Sequence, residues 1–356
     1  MSIACATLEH PLLSICVPTF NRAAHLGNLL ESLGRAKDGH GRAIEVCISN
    51  NCSTDGTADV IEQWRAKYDA GVVTQTTNIG ASNNVVEVTR MAHGRWILVV
   101  GDDDEIDGCG LTTLLHHLGG CDSGLWVLAA VAAKYDPNNL MGGLGPRLYG
   151  PRRIKAVVLR RGLYQFGFIG MHVIPRERLP ALWKLSPDAK RQWPHVALFL
   201  RHIQSRGVLA LLSPVVRQGV GNALSWRADT WAQINLNKLN IVYEAMRGGE
   251  VPRVYARALM LRELYSIRNL KSMISWKVLE SRTFSFREYA NRYEFFGFAA
   301  WLVALHALIL SLVAATPSGF YDVLLAVTGH SRTRKAYSAY QHDATLSDSD
   351  GISRKL

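Results

Sequence analysis

Along the first 120 residues the hydrophobic positions follow two rhythms. Short, β-branched runs come at LLSICV (12–17), AIEVCIS (43–49), VVTQTT (72–77) and WILVV (96–100). Most lack an alternating polar face, so they read as buried strands. Between them the spacing lengthens. Leu26, Leu29, Leu30 and Leu33 recur at i, i+3, i+4 and i+7, and Val60, Ile61, Trp64 and Tyr68 mark a second helical stripe. Further helices are expected over 81–92 and 109–118. Strands alternating with helices predict an α/β/α sandwich around a mainly parallel sheet.

The pattern then changes. LWVLAAVAA (125–133) is another strand, and LYQFGFIGMHVI (163–174) is apolar and broken by glycines. HVALFLRHIQSRG (195–207) predicts a helix ending at Gly207, and VLALLSPVVRQG (208–219) reads as extended. Residues 253–292 are expected to be helical, with a basic residue every few positions and no clean apolar stripe. FFGFAAWLVALHALILSLVAA (295–315) carries no formal charge. As a helix it is long enough to cross ~30 Å of hydrocarbon. A second apolar patch, FYDVLLAV (320–327), precedes a polar tail from 331 that reads as disordered. The expected organisation is one domain over 1–225, with halves 1–120 and 121–225, then a helical, basic, membrane-associating region over 226–330 and a tail over 331–356.

Charge sharpens this division. The chain has 356 residues, is 48% hydrophobic and carries a net charge of +11. Residues 1–120 hold 8 Lys/Arg against 14 Asp/Glu, whereas the remainder holds 32 against 15. A basic region of that size suggests phosphate, nucleic acid or an anionic membrane as a neighbour. The six cysteines (5, 16, 47, 52, 109, 121) include no CxxC pair, which favours reduced thiols in a cytosolic setting over zinc ligands. The N-terminal residues have neither a basic n-region nor a long apolar run, so no secretory signal is expected.

In an open α/β sheet, ligands bind beyond the carboxyl ends of the strands. PTFNR (18–22), NNCSTDG (50–56) and GDDDE (101–105) each follow such an end, so three polar loops should gather on one edge. The last of them crowds three adjacent carboxylates, a tolerable arrangement when they are fully solvated or when a cation sits among them. PTFNR, NNCSTDG, the NIG of 78–80 and the GRWILVVGDDD run of 94–104 resemble, in order and spacing, family 2 glycosyltransferases of the GT-A fold. The ending GDDD, rather than LDxDD, is more similar to the bacterial abequosyltransferase-like branch.

The resemblance implies a nucleotide-sugar donor, a divalent metal and, usually, inversion at the anomeric carbon. Carboxylate oxygens suit Mg²⁺ or Mn²⁺. By motif position Asp103 is the expected metal ligand, because Gly101 stands where the first Asp of LDxDD would be. Asp102 and Asp104 form a literal DxD and stay in the candidate set. Pro18, Thr19, Asn21, Arg22, Asn50, Asp55, Asn78 and Asp102 are donor-site candidates. Asn50 stands where the family commonly has an Asp against the nucleobase, and Asp55 could instead cap the helix that follows it. Inversion needs a base for the acceptor hydroxyl. The ED-type motif that commonly supplies it is absent, which leaves His195 and Asp188. Arg217 is a candidate for the diphosphate.

The basic C-terminal region and the 295–315 run predict an anionic membrane surface and a lipid-linked saccharide acceptor as partners. The expected location is the cytoplasmic face of the inner membrane, by peripheral, monotopic or single-span attachment. A polyprenyl-phosphate glycosyltransferase and a non-catalytic adaptor that kept the fold are the competing readings. No nucleic-acid-binding motif is present, and no GxGxxG follows the first strand, so nucleic acid and dinucleotide cofactors are not expected.

Overall fold

Four parallel strands build the first half of the sheet, in the order β3 (Gly71–Thr74), β2 (Ile44–Asn50), β1 (Leu13–Thr19), β4 (Trp96–Val99). The structure is a computed structural model. It describes residues 10–133, 136–141, 144–186, 193–219 and 228–264, with the backbone alone at 133, 136–141, 228–237 and 264. The central strands are buried because helices cover them: Leu13, Ile15 and Val17 of β1 and Ile97 and Leu98 of β4 have no solvent exposure. Helix α1 (Ala23–His40) buries the predicted stripe of Leu26, Leu29, Leu30 and Leu33. Helices α2 (Thr57–Arg65) and α3 (Ala81–Arg90) complete the crossovers, and α3 packs on β1 and β2.

Beyond β4 the sheet is mixed. β9 (His172–Pro175) lies antiparallel to both β4 and β6 (Trp126–Ala133), and β10 (Val208–Arg217) then runs parallel to β6. Two short strands pair antiparallel with β10: β5 (Glu105–Ile106) at its carboxyl end and β8 (Arg147–Tyr149) at its start. β7 (Asp136–Met141) pairs with β6. The expectation of a mainly parallel sheet therefore holds with a reversal at β9. β9 is only four residues long, and its apolar composition carries no information about direction. Pro214 is accommodated in β10 by register shifts on either side of it. Helix α4 (Gly108–Gly120) crosses there, and a Cβ on Gly110 would stand 1.7 Å from the Pro214 carbonyl oxygen.

The remaining described helices are α5 (Pro151–Arg161), α6 (Leu179–Trp183), α7 (Pro194–His202), α8 (Ala228–Arg247) and α9 (Arg253–Leu264). One compact unit takes in Met1–Asn222 and Asn237–Glu263. A second takes in Ala223–Leu236 and Leu264–Leu356, of which 228–236 and 264 are among the described residues. Within the first unit, Lys238 and Glu263 form an ion pair of 3.1 Å with both side chains buried. Helix α9 covers the start of the predicted 253–292 helix. The rest of that segment, the 295–315 and 320–327 runs and the tail from 331 lie outside the described residues. Among the described residues no helix is long and apolar enough to cross a membrane. Cys16, Cys47, Cys52, Cys109 and Cys121 are free thiols.

Candidate functional site

The carboxyl ends of β1 and β2 lie side by side, with Thr19 in register with Asn50. The loops that leave them are stitched together by local polar side chains. The Asn21 amide N–H donates to Ser53 Oγ (2.9 Å), the Thr54 N–H to Asn21 Oδ1 (2.8 Å) and the Arg22 N–H to Thr57 Oγ1 (3.1 Å). Asn21 and Cys52 adopt positive φ angles of 51° and 63°, a conformation in which Asn is several-fold enriched among non-glycine residues. Asp55 accepts from the Ala23 N–H (3.2 Å) with one oxygen and from the Thr57 N–H (3.0 Å) with the other, so it caps both α1 and α2. Burial alone would raise its carboxyl, but these donors outweigh that and hold it below the ordinary range. Asn50 is buried, and its Oδ1 accepts from the Ser53 N–H (3.0 Å). The NIG turn is tied in from the other side: Asn51 Nδ2 and the Gly80 N–H both donate to Asn78 Oδ1 at 2.9 Å.

The aspartates follow β4, the strand beside β1. Thr19 Oγ1 donates to Asp102 Oδ2 at 2.8 Å, which links the first and third loops directly. Burial pushes the Asp102 carboxyl above its ordinary value; the Thr19 hydroxyl and the Arg22 charge pull the other way, and Asp103 adds to the rise. Asp104 is buried, and its Oδ1 accepts from the Gly219 N–H at 3.1 Å. Desolvation, and then the neighbouring Asp103 charge, raise it to about 7. Asp103 is half-buried between them, and no hydrogen bond occupies its carboxylate among the described residues. The turn is therefore a desolvated set of like charges in which two carboxylates are held by the protein and one is left over.

That chemistry fits a hard divalent cation. No group of three His, Cys, Asp or Glu side chains able to hold a metal occurs among the described residues. The described residues can thus offer a cation a partial set of oxygens rather than a closed cage, the manner in which Mg²⁺ is commonly held beside a phosphate ligand.

Two of the expected site residues are engaged elsewhere. Arg217 Nε donates to Asp107 Oδ2 at 2.8 Å, while Asp107 Oδ1 caps α4 by accepting from the Gly110 N–H. The predicted diphosphate ligand is thus held in an ion pair that ties the end of β10 to α4. His195 does begin a helix after Pro194, but its side chain points into the core and is 3% exposed. Its Nε2–H donates to the Gly167 carbonyl at 3.0 Å. Burial, and then the nearby His172, hold its pKa well below the usual histidine value. The ring is thus enclosed, with its Nε2–H committed to the backbone, a placement that speaks against His195 as the base. Asp188 lies outside the described residues.

His195 belongs to a buried aromatic cluster. Its ring meets that of His172 at 5.0 Å, and Trp126 contacts both His172 and His202. Desolvation lowers the pKa of His172 to about 4, and that of His202 to about 4. In acid the unfolded chain takes up protons that the native state refuses. Their contribution to stability is therefore complete above an unfolded pKa of about 6.5 and drains as pH falls toward the folded value. The raised carboxyls of Asp102 and Asp104 act in the opposite sense on acidification and are common to parent and variant, so the histidine contribution is read as a difference. Between neutral pH and about pH 4 the parent should lose more stability to urea than His172→Phe, by roughly 1.4 kcal/mol per pKa unit of the His172 shift. Equal pH dependence in the two proteins would contradict the buried, neutral placement.

Several site residues were invisible to the sequence reading. Asn84 of α3 is buried and accepts from Ser49 Oγ (2.6 Å) while donating to the Ser49 carbonyl (3.0 Å), which bolts α3 to the end of β2. Phe20 is 39% exposed between Thr19 and Asn21, an aromatic surface beside the aspartate turn. Gly219 packs so closely that a Cβ there would stand 1.2 Å from the Asp103 carbonyl oxygen. Only the glycine, in the VVRQG run already noted, carried a local signal.

Residues 14–174 match the family model described as Glycosyl transferase family 2. Abequosyltransferase RfbV of Salmonella typhimurium is 34% identical over 109 residues, 30% of this chain and 32% of that protein. The chain thus spans about a third or less of the length of the first curated relatives it matches. Among solved structures, Staphylococcus aureus TarS aligns with a TM-score of 0.55 at 17% identity, covering 78% of this chain and 47% of that one. The mannosyltransferase PcManGT from Pyrobaculum calidifontis, in complex with GDP-Man and Mn²⁺, aligns with a TM-score of 0.52 at 18% identity, covering 93% and 83%. These two likenesses are of fold.

Proposed function

We propose that this chain, in which residues 14–174 match the Glycosyl transferase family 2 model, moves a sugar from a nucleotide-sugar donor to a lipid-diphosphate-linked glycan with inversion at the anomeric carbon. The observation that carries the reading is the aspartate turn: three like charges, two of them held by Thr19 and Gly219, bonded to the end of β1, whose loop is in turn bonded to the loop that ends β2. The donor lies along Pro18–Arg22, the Asn50–Asp55 loop and the Asn78 turn, with its diphosphate toward Asp103. Phe20 offers its exposed ring to the base or sugar. The Asn50 amide retains donor capacity after its oxygen is committed to Ser53, so it can serve an acceptor atom on the base. Asp103 and one neighbouring carboxylate hold Mg²⁺ or Mn²⁺. Such a cation, when bound, neutralises charge on the departing diphosphate.

Arg22 places a positive charge beside Asp102 and the donor phosphates. With His195 enclosed in the core, Asp188 is the residue left for the base, a role that rests on the sequence alone. The membrane side of the proposal rests on the uncharged 295–315 run and the basic region before it. It places the protein at a cytoplasmic, anionic membrane face.

Thermal unfolding in the presence of UDP- and GDP-sugars, with and without Mn²⁺ or Mg²⁺, tests the donor reading. A nucleotide sugar that binds the native state raises the midpoint with the logarithm of its concentration, and only when metal is present. If none of them shifts the midpoint under either condition, the proposal fails. In the same series Asp188→Asn should keep the stabilisation and lose turnover by ~10²–10⁴; unchanged turnover removes Asp188.

A further inference from the structure

Between Leu144 and Pro175 the sequence contains no acidic residue and six Lys/Arg in β8 and α5. Helix α9 adds Arg253, Arg257 and Arg262; its single acid, Glu263, is buried against Lys238. The fold brings these three elements onto one surface. Tyr255 Oη donates to the Lys155 carbonyl (3.1 Å), and Arg262 Nη2 donates to the Arg161 carbonyl (2.7 Å), so α9 lies against α5. The Arg147 and Arg153 guanidinium groups both lie over the Tyr149 ring, at 5.9 and 5.7 Å, which joins β8 to α5.

The pattern within α5 is amphipathic. Ile154 and Val158 are buried, while Arg152, Arg153 and Arg160 face solvent. The same elements carry two aliphatic side chains that a solvated surface does not require: Leu148 of β8, 59% exposed, and Val254 beside Arg253 in α9, 84% exposed. No aromatic side chain is exposed on β8, α5 or α9. That absence disfavours single-stranded nucleic acid, which is typically held by stacked aromatics. Guanidinium groups around protruding aliphatics instead match the headgroup region of an anionic bilayer.

We propose that the surface formed by β8, α5 and α9 docks on an anionic lipid bilayer, the arginines on headgroups and Leu148 and Val254 below them. The surface lies within the first compact unit. α5 leads through Leu163–Phe166 into β9, beside the strand that carries the aspartates. Docking there sets the candidate site at a fixed relation to a lipid-linked acceptor. The inference rests on the proposed transferase reading only for that acceptor.

Flotation of the full chain with neutral phosphatidylcholine vesicles, and with vesicles that also contain phosphatidylglycerol, tests it. Neutral vesicles report whatever the 295–315 run contributes; the increment on anionic vesicles reports the basic surface. Each basic residue at an anionic leaflet is worth about fivefold in partition. The combined variant Arg152→Gln, Arg160→Gln, Arg253→Gln, Arg257→Gln should therefore lose that increment by about 10² or more, with neutral binding unchanged. A second variant, Leu148→Ser with Val254→Ser, keeps every charge and should lower anionic partition by about tenfold. An increment that survives both variants, or an unmodified chain with no preference for anionic vesicles, overturns the proposal. So does an oligoribonucleotide bound through these arginines by a chain that ignores vesicles. Stabilisation by nucleotide sugar and metal should be the same in all variants, so failure on vesicles leaves the donor reading standing.

Discussion

Asp103→Ala abolishes metal-dependent donor binding and lowers turnover by ~10³-fold, since a catalytic cation is worth several kcal/mol of transition-state stabilisation. The variant does so without unfolding the protein. Asp103 is the one carboxylate of the turn that no hydrogen bond occupies among the described residues. Its charge also raises the pKa of both Asp102 and Asp104. Removing it relieves like-charge repulsion in a desolvated place, so the metal-free variant should melt at the same temperature as the parent or slightly above. Metal with nucleotide sugar then ceases to raise the midpoint. Steady-state kinetics and melting curves measured together check this. Turnover that persists in the variant, or in the parent with excess chelator, removes the metal-dependent mechanism. A large loss of stability in the variant would show instead that Asp103 is a structural member of the turn.

The largest effect on stability is expected far from the aspartates, at Glu263. Its Oε2 is 3.1 Å from Lys238 Nζ, and its Oε1 accepts from the Leu163 N–H at 2.7 Å. Both side chains of the pair are 1–2% exposed. Gly162 precedes this junction at a φ of +81°, and a Cβ there would stand 2.5 Å from Glu263 Oε1. Removing one partner of a buried pair commonly costs about 3–5 kcal/mol, because the other charge stays behind in low dielectric. Glu263→Ala should fall in that range by urea unfolding, and Glu263→Gln should lose less, because the amide oxygen can still accept from Leu163. Removing both charges, with Lys238→Met and Glu263→Gln, should recover most of the loss, since no buried charge is left unpaired and the amide oxygen still accepts from Leu163. A Glu263→Ala variant that loses under about 1 kcal/mol, the scale of a solvent-exposed pair, would mean that water reaches the ammonium.

The sequence by itself determined the alternation of strands and helices over the first 120 residues and the placement of three polar loops at strand ends. Those features are local. Apolar runs and the i, i+3, i+4 spacing of Leu26 to Leu33 report burial through the chain's own periodicity. Helix α7 from Pro194 and the extended run from Val208 were legible for the same reason. What only the tertiary structure decided depends on meetings between distant residues. The Thr19–Asp102 bond spans 83 positions, Asp104–Gly219 spans 115 and Leu163–Glu263 spans 100. No local pattern encodes which of three adjacent carboxylates is held by Thr19, which by Gly219 and which is left for a cation. The reversed direction of β9 was likewise hidden, because four apolar residues pack equally well either way. His195 and Arg217 show the same limit. A polar residue at a helix start or strand end looks available in one dimension. In the fold each has a partner that the sequence did not show, the Gly167 carbonyl and the Asp107 carboxylate.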